Sequence, residues 1–114
     1  MNWVILESET MLNKIVKKDS YSETVFVFKH STRCSISNLA KQRLESNWNT
    51  YFEDKEVYFL DLLQHRLLSN QLAEQLNVQH QSPQLIAIKS GVSIYRSSHL
   101  AITVKAVYKA ITEH

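Results

Sequence analysis

One residue of this chain is well suited to covalent chemistry, and it is a cysteine. Cys34 is the single cysteine among 114 residues, and it lies between an apolar strand pattern and a helical pattern that begins near Ser35. At such a junction the sulfur lies beside the unpaired N–H groups of a helix start, which favour the thiolate, the form that attacks disulfides. The position therefore predicts a nucleophilic thiol. A buried structural cysteine is the alternative, but Arg33 and Ser35 flank this one where apolar residues would be expected.

The charges around Cys34 are one-sided. No acidic residue occurs between Thr24 and Leu44. The same stretch contains basic residues and a histidine, namely Lys29, His30, Arg33, Lys41 and Arg43. Nearby positive charge stabilises a thiolate and attracts an anionic thiol. We therefore predict that Lys29 and Arg33 tune the thiolate of Cys34.

Ser37 occupies the position where a Cys-x-x-Cys motif has its second sulfur. Without an internal resolving thiol, an attack by Cys34 leaves a mixed disulfide that another thiol must release. Two roles are open for the Ser37 hydroxyl: it could bond to the thiolate and so tune it, or it could cap backbone N–H groups.

Other chemistries lack the residues that they need. One glycine and one proline exclude a Walker loop and a Rossmann fingerprint, which need two and three glycines. The five histidines show no metal-ligand spacing, so we expect no metal site. A net charge of +2 and aromatic residues placed in strand patterns argue against nucleic acid. Apolar runs are too short for a membrane span and no signal pattern is present, so we expect a cytoplasmic protein.

Hydrophobic periodicity predicts the elements that position Cys34. The expected elements are a helix capped by Ser8, a strand over 25–29, a helix from Ser35 with Ile36, Ala40, Leu44 and Trp48 on one face, a strand over 57–62, a helix over 67–76, strands over 84–88 and 92–95, and a last helix capped by Ser98. Residues 3–6 are either an edge strand or an apolar lead-in. Strands that alternate with helices predict an α/β fold in a single domain over residues 1–114. The order is similar to that of the thioredoxin-like fold, with a central mixed sheet of four or five strands flanked by helices.

Three segments together resemble the monothiol bacilliredoxin family. They are Lys-His-Ser-Thr-Arg-Cys-Ser-Ile-Ser at 29–37, Asn-Val-Gln-His-Gln-Ser-Pro-Gln at 77–84, and Ser-Ser-His-Leu-Ala-Ile at 97–102. The resemblance covers nearly the whole chain and implies an oxidoreductase that removes bacillithiol from protein mixed disulfides. By that analogy Cys34 takes over the bacillithiol, and a second bacillithiol or a dedicated reductase regenerates the thiol. Bacillithiol would be a co-substrate with no bound cofactor, and its carboxylates suit the basic surround of Cys34.

Ser35 departs from the family pattern, in which proline usually follows the cysteine. Proline at a first helical turn presets φ and lacks an N–H, whereas Ser35 supplies an N–H and a hydroxyl near the sulfur. We therefore include Ser35 among the residues that tune the thiolate. The departure leaves open which low-molecular-weight thiol is the partner.

The resemblance also implies residues that bind the substrate. Pro83 resembles the cis-proline that faces the active-site cysteine, and Ser82 before it would pair with an extended partner through its main chain. His80 could shape the rim of that site. Ser97 and Ser98 precede the predicted last helix, where they could bind the carboxylate of a ligand or where Ser98 could simply cap the helix.

A second function class stays open beside the oxidoreductase. The chain could be a non-enzymatic thioredoxin-fold module for stress response that captures thiols or partner proteins. A bridged iron–sulfur cluster is disfavoured because no glycine-phenylalanine pair lies between Cys34 and Ser37. In either class we expect a monomer whose partners are thiolated proteins and a low-molecular-weight thiol, with no nucleic acid and no membrane.

Overall fold

Five strands form one mixed sheet in the order β1-β3-β2-β4-β5. The computed structural model describes residues 1–113. Its strands are β1 (Asn2–Ile5), β2 (Val25–His30), β3 (Glu56–Asp61), β4 (Gln84–Lys89) and β5 (Val92–Ser98). Its α-helices are α1 (Glu9–Lys14), α2 (Ser20–Ser22), α3 (Ser35–Phe52), α4 (Arg66–Leu76) and α5 (Val104–Thr112), with a π-helical turn at Ile15–Asp19 and a 3-10 turn at His99–Ala101. The predicted α/β fold with a mixed sheet is confirmed.

Two of the four strand pairs are parallel and two are antiparallel. β3 pairs in parallel with both β1 and β2, whereas β4 runs antiparallel to β2 and β5 antiparallel to β4. The open question about residues 3–6 is decided by this pairing: Asn2–Ile5 is an edge strand. β2 lies in the centre and every one of its residues is buried, because helices cover both faces of the sheet.

Successive side chains of β2 point to opposite faces and so enter two separate cores. Val25 and Val27 pack with apolar residues of α1 and α4. Phe26 and Phe28 pack with residues of α3 and α5, where Trp48 meets the Phe26 ring edge-on at 5.0 Å between centroids. The cores fix α3 on one face and α4 on the other, and α3 is the helix that follows Cys34.

The buried face of α3 differs by one residue from the prediction. Ala40, Leu44 and Trp48 are buried as expected, but Ile36 is 41% exposed and Ser37 is fully buried. Ser37 lies three positions before Ala40 and seven before Leu44, which is the spacing of one helix face. A small hydroxyl therefore takes the first core position of this helix.

The predicted start of the last helix is wrong. Ser98 is the end of β5, where it pairs with Gln84 of β4, and it makes no capping hydrogen bond. The helix begins at Val104, and Thr103 caps it by accepting a hydrogen bond from the Ala106 N–H at 3.2 Å. The strand ladder holds Ser98 extended, so the helix cap lies five residues later, at Thr103.

The first helical segment has the predicted cap but a later end. The Ser8 hydroxyl accepts a hydrogen bond from the Met11 N–H at 3.2 Å, which confirms the expected N-cap. Helical backbone continues past the predicted lysines through the π-helical turn to Ser22. Among the described helices none is both long enough and apolar enough to cross a membrane.

The two serine/threonine positions before α5 give a direct test of its start. We expect Thr103→Ala to lower the free energy of unfolding by about 1 kcal/mol, because it removes the side-chain cap. Ser98→Ala is the matched control and should change stability much less, since Ser98 makes no capping bond. Urea unfolding of both variants measures the difference. Equal losses in the two variants would contradict this account of the helix start.

Candidate functional site

Four strand ends bring the predicted site segments to one edge of the sheet. In the strand registers Lys29 pairs with Gln84, His30 with Asp61, and Gln84 with Ser98. β2 and β5 therefore end at the edge where β4 begins. The segment with Cys34, the segment with Pro83 and the serines at the end of β5 consequently meet there, although they are distant in sequence.

Cys34 is the N-cap residue of the 18-residue helix α3. Its backbone is extended, with φ −105° and ψ 120°, and its side chain is a partly exposed free thiol. The Cys34 N–H donates to the Ser31 carbonyl at 3.1 Å, and the Cys34 carbonyl accepts from the Asn38 N–H at 3.0 Å. The backbone bonds fix the residue at the helix start, where the first-turn N–H groups lack intrahelical partners. The arrangement can present a nucleophilic sulfur to solvent.

The Ser37 hydroxyl bonds away from the cysteine. Its oxygen accepts a hydrogen bond from the Ser31 N–H at 3.0 Å and lies 2.6 Å from Nδ1 of His30. Within residues 1–113 no hydrogen bond joins it to Cys34 Sγ. Of the two roles that the sequence leaves open for the Ser37 hydroxyl, the structure shows the bond to a backbone N–H. It also shows a contact with His30 that the sequence analysis did not predict.

His30 is the site residue whose role the sequence analysis missed. Its imidazole is 2% exposed and packs against the rings of Phe28 and Phe59, with centroids 5.7 and 5.2 Å away. The signal was present in the sequence, because alternation along β2 places residue 30 on the face of Phe28, towards α3. Among the basic residues near Cys34, it is His30 that contacts the first turn of α3.

Lys29 lies on the opposite face of the sheet from α3. Its ammonium group is fully buried, and its Nζ lies 3.4 Å from the Ser69 carbonyl and 3.3 Å from Nδ1 of His80. In the part of the chain that the structure describes, no carboxylate pairs with it. Burial lowers the pKa of Lys29 to about 8. The structure thus joins Lys29 with His80, and any effect of Lys29 on the thiolate must act through space.

Of the remaining basic side chains near Cys34, two bond to other residues and one is exposed to solvent. Lys41 forms an ion pair with Glu45 at 3.0 Å, and an Arg43 nitrogen donates to the Leu100 carbonyl at 3.4 Å. Arg33 and Ser35 are exposed on either side of Cys34. The carboxylate of Glu45 therefore partly compensates the positive charge that the sequence suggests around Cys34. Arg33 is the cation directly before Cys34 in the chain.

The segment before β4 lies beside the end of β5. The Ser82–Pro83 peptide bond is cis, as the sequence analysis expected, and the Pro83 carbonyl accepts a hydrogen bond from the His99 N–H at 3.1 Å. The hydroxyl oxygens of Ser82 and Ser97 are buried and have no hydrogen-bond partner within the described residues. Buried hydroxyls normally have partners, so these two are unsatisfied polar groups at this edge.

The chain is similar to one protein family and to several solved structures. A family model described as monothiol bacilliredoxin BrxC matches residues 5–107. A solved structure described as "a putative oxidoreductase with a thioredoxin fold" is similar at 29% identity with a TM-score of 0.80, over 96% of this chain and 93% of that one. Thioredoxin from Fasciola hepatica is similar in fold at 18% identity and a TM-score of 0.69, over 100% and 99% of the two chains. Thioredoxin from Trypanosoma brucei brucei is similar in fold at 12% identity and a TM-score of 0.73, over 98% of this chain and 89% of that one. The thioredoxin-like fold predicted from the sequence is confirmed.

The buried charge of Lys29 should be visible in the pH dependence of stability. Because folding lowers the lysine pKa from 10.5 to about 8, the unfolded chain binds more protons between these values and stability rises with pH there. We expect a rise of up to about 3 kcal/mol in the free energy of unfolding, relative to a chain without this lysine.

Lys29→Met is the variant that tests this effect, with the exposed Lys89→Met as control. Lys29→Met should be more stable than the parent near pH 7, and the difference should shrink as pH rises from about 8 towards 10.5. Urea unfolding across this range measures it. Parallel pH curves for the parent and Lys29→Met would show that the lysine carries no such penalty.

Proposed function

The chain belongs to the monothiol bacilliredoxin family of thiol oxidoreductases, and we propose that it removes bacillithiol from protein mixed disulfides through Cys34. The observation that supports this proposal best is the identity of two residues at the start of α3, one at the N-cap and one in the first turn. Cys34 is a partly exposed thiol at the N-cap, whereas the position of a resolving sulfur holds Ser37, whose hydroxyl is engaged elsewhere. Such a site can accept one thiol but cannot release it internally.

The proposed first step is a thiol–disulfide exchange. The Cys34 thiolate attacks the bacillithiol sulfur of the mixed disulfide, and a new S–S bond forms as the old one breaks. The protein sulfur leaves as a thiolate and takes a proton from water, so the client protein is reduced and Cys34 becomes bacillithiolated. The N–H groups at the start of α3 stabilise the attacking thiolate before the step.

Regeneration requires a thiol from outside the chain. The thiolate of a second bacillithiol attacks the sulfur of the bound one, which releases bacillithiol disulfide and restores the Cys34 thiolate. A dedicated dithiol reductase could supply the same pair of electrons. Bacillithiol is thus a co-substrate in this proposal, and the chain needs no bound cofactor.

The same edge of the sheet supplies groups that could bind both parts of the substrate. The unpartnered hydroxyls of Ser82 and Ser97 could bond to the polar groups of the thiol, and exposed Arg33 could pair with its carboxylates. We propose that Ser82 and Pro83, with His80 and Ser98 beside them, line the contact with the client protein. On this proposal the protein acts in the cytoplasm as a monomer.

The central test uses a purified bacillithiolated protein as substrate. We expect the parent to release the client thiol and to gain the mass of one bacillithiol on Cys34. Cys34→Ala should show neither result, because it has no attacking sulfur. Ser35→Ala is the matched control for the fold of the helix start and should still acquire the adduct. Release by Cys34→Ala at the parent rate would refute the proposal.

A resolving sulfur placed at position 37 should change the outcome of the reaction. In the Ser37→Cys variant we expect the introduced thiol to attack the Cys34 adduct, release bacillithiol and form an internal disulfide with Cys34 without added thiol. Intact-protein mass spectrometry distinguishes this disulfide, two hydrogens lighter than the reduced chain, from the persistent adduct of the parent. A Ser37→Cys protein that keeps the adduct as long as the parent would contradict the idea that the missing sulfur makes the enzyme monothiol.

A further inference from the structure

A continuous path of hydrogen bonds links a buried imidazole to the backbone of the cysteine. His30 Nδ1 lies 2.6 Å from the Ser37 oxygen, which accepts the Ser31 N–H at 3.0 Å. The carbonyl of Ser31 in turn accepts the Cys34 N–H at 3.1 Å. The segment that presents the thiol is therefore held to the first turn of α3 through the Ser37 hydroxyl, beside a longer contact in which the exposed Asn38 amide donates to the Thr32 carbonyl at 3.4 Å.

The direction of the protons in this path depends on the charge and on the tautomer of His30. Because the Ser37 oxygen already accepts from Ser31, its own hydrogen is available to donate to the lone pair of a neutral imidazole at Nδ1. A protonated imidazole would instead donate from Nδ1. The Ser37 hydrogen would then have to turn towards another acceptor, which redirects the lone pairs of the oxygen that holds the Ser31 N–H. The geometry thus suits the neutral ring.

The surroundings of His30 favour the same form. Burial lowers its pKa from the ordinary 6.5, and the positive charge of Lys41 on α3 lowers it further. The carboxylates of Asp61 on β3 and Glu45 on α3 and a hydrogen bond with Ser37 raise the His30 pKa and oppose this effect without reversing it, and Glu45 is also paired with Lys41. His30 is therefore neutral at neutral pH and gains a proton only in acid.

We propose that neutral His30 is a positioning residue for Cys34, acting through Ser37 and Ser31, and that protonating it slows attack by the thiolate. The inference rests on the proposed function only in taking Cys34 as the reactive group. It assigns the buried imidazole a role in orienting the thiol. It also makes the exchange rate per thiolate depend on the protonation of His30.

The test measures exchange of Cys34 with bis(2-hydroxyethyl) disulfide, a small uncharged probe that needs neither bacillithiol nor a client protein. Each rate is divided by the thiolate fraction of the same variant, read from ultraviolet absorbance, so that ionisation of the sulfur is separated from positioning. His30→Phe keeps the aromatic packing and loses the acceptor. His30→Asn keeps an acceptor oxygen that does not titrate. His65→Asn is the control for removing a histidine elsewhere.

We expect His30→Phe and Ser37→Ala to exchange about five-fold more slowly per thiolate, the factor that one ordinary hydrogen bond supplies. His30→Asn and His65→Asn should stay near the parent rate at neutral pH. The double variant His30→Phe/Ser37→Ala should be no slower than Ser37→Ala alone, because both changes break one path. On acidification below the ordinary histidine range the parent rate per thiolate should fall, whereas that of His30→Asn should not.

Several results would overturn the inference. A parent-like rate in Ser37→Ala would show that the hydroxyl does not position the thiol, and this outcome is decisive even if His30→Phe does not fold. A His30→Asn variant as slow as His30→Phe, or additive losses in the double variant, would assign His30 to packing alone. A parent rate that is flat in acid, or falls equally in His30→Asn, would remove the pH dependence. Failure with bacillithiolated substrate but success here would refute only the proposed function.

Discussion

The alternation of side chains at the end of β2 is the constraint on which the site depends. Lys29 and His30 are consecutive, so a pleated strand must direct one to each face of the sheet. His30 bonds to Ser37 at the start of α3, and Lys29 contacts Ser69 of α4 and His80 of the segment that leads to Pro83. Two adjacent residues thereby contact both parts of the candidate site, the start of α3 and the segment that leads to Pro83.

The two contacts have different energetic characters. The His30–Ser37 contact joins neutral groups in a core, where a satisfied hydrogen bond is favourable and its loss would leave the Ser37 hydroxyl hydrogen and Nδ1 of His30 without each other as partners. Lys29 is a buried cation without a carboxylate partner among the described residues, an arrangement that opposes folding at neutral pH. Such a charge beside the candidate site lowers stability, a cost that functional sites commonly carry.

Serine at position 37 has a structural consequence beyond the absence of a second sulfur. A hydroxyl can accept from one group while it donates to another, whereas a thiol is a weak partner in both roles. Ser37 therefore exchanges the capacity for an internal disulfide for a firm attachment of the cysteine segment to the helix. On the two proposals, monothiol chemistry and the position of the thiol depend on the same side chain.

Local patterns in the sequence were sufficient for the class of fold, the junction at Cys34 and the missing resolving sulfur. Strand and helix periods, the Ser8 cap and the separation of Cys34 from Ser37 are properties of neighbouring residues, which the sequence shows directly. The tertiary structure alone decided which face each residue occupies. Ser37 enters the core in place of Ile36, Ser98 stays in the β4–β5 ladder while Thr103 caps α5, and Lys29 points away from α3. These outcomes depend on packing between elements distant in the chain, and the physical reason is that a strand pairs and a helix buries its face only against partners that local propensity does not specify.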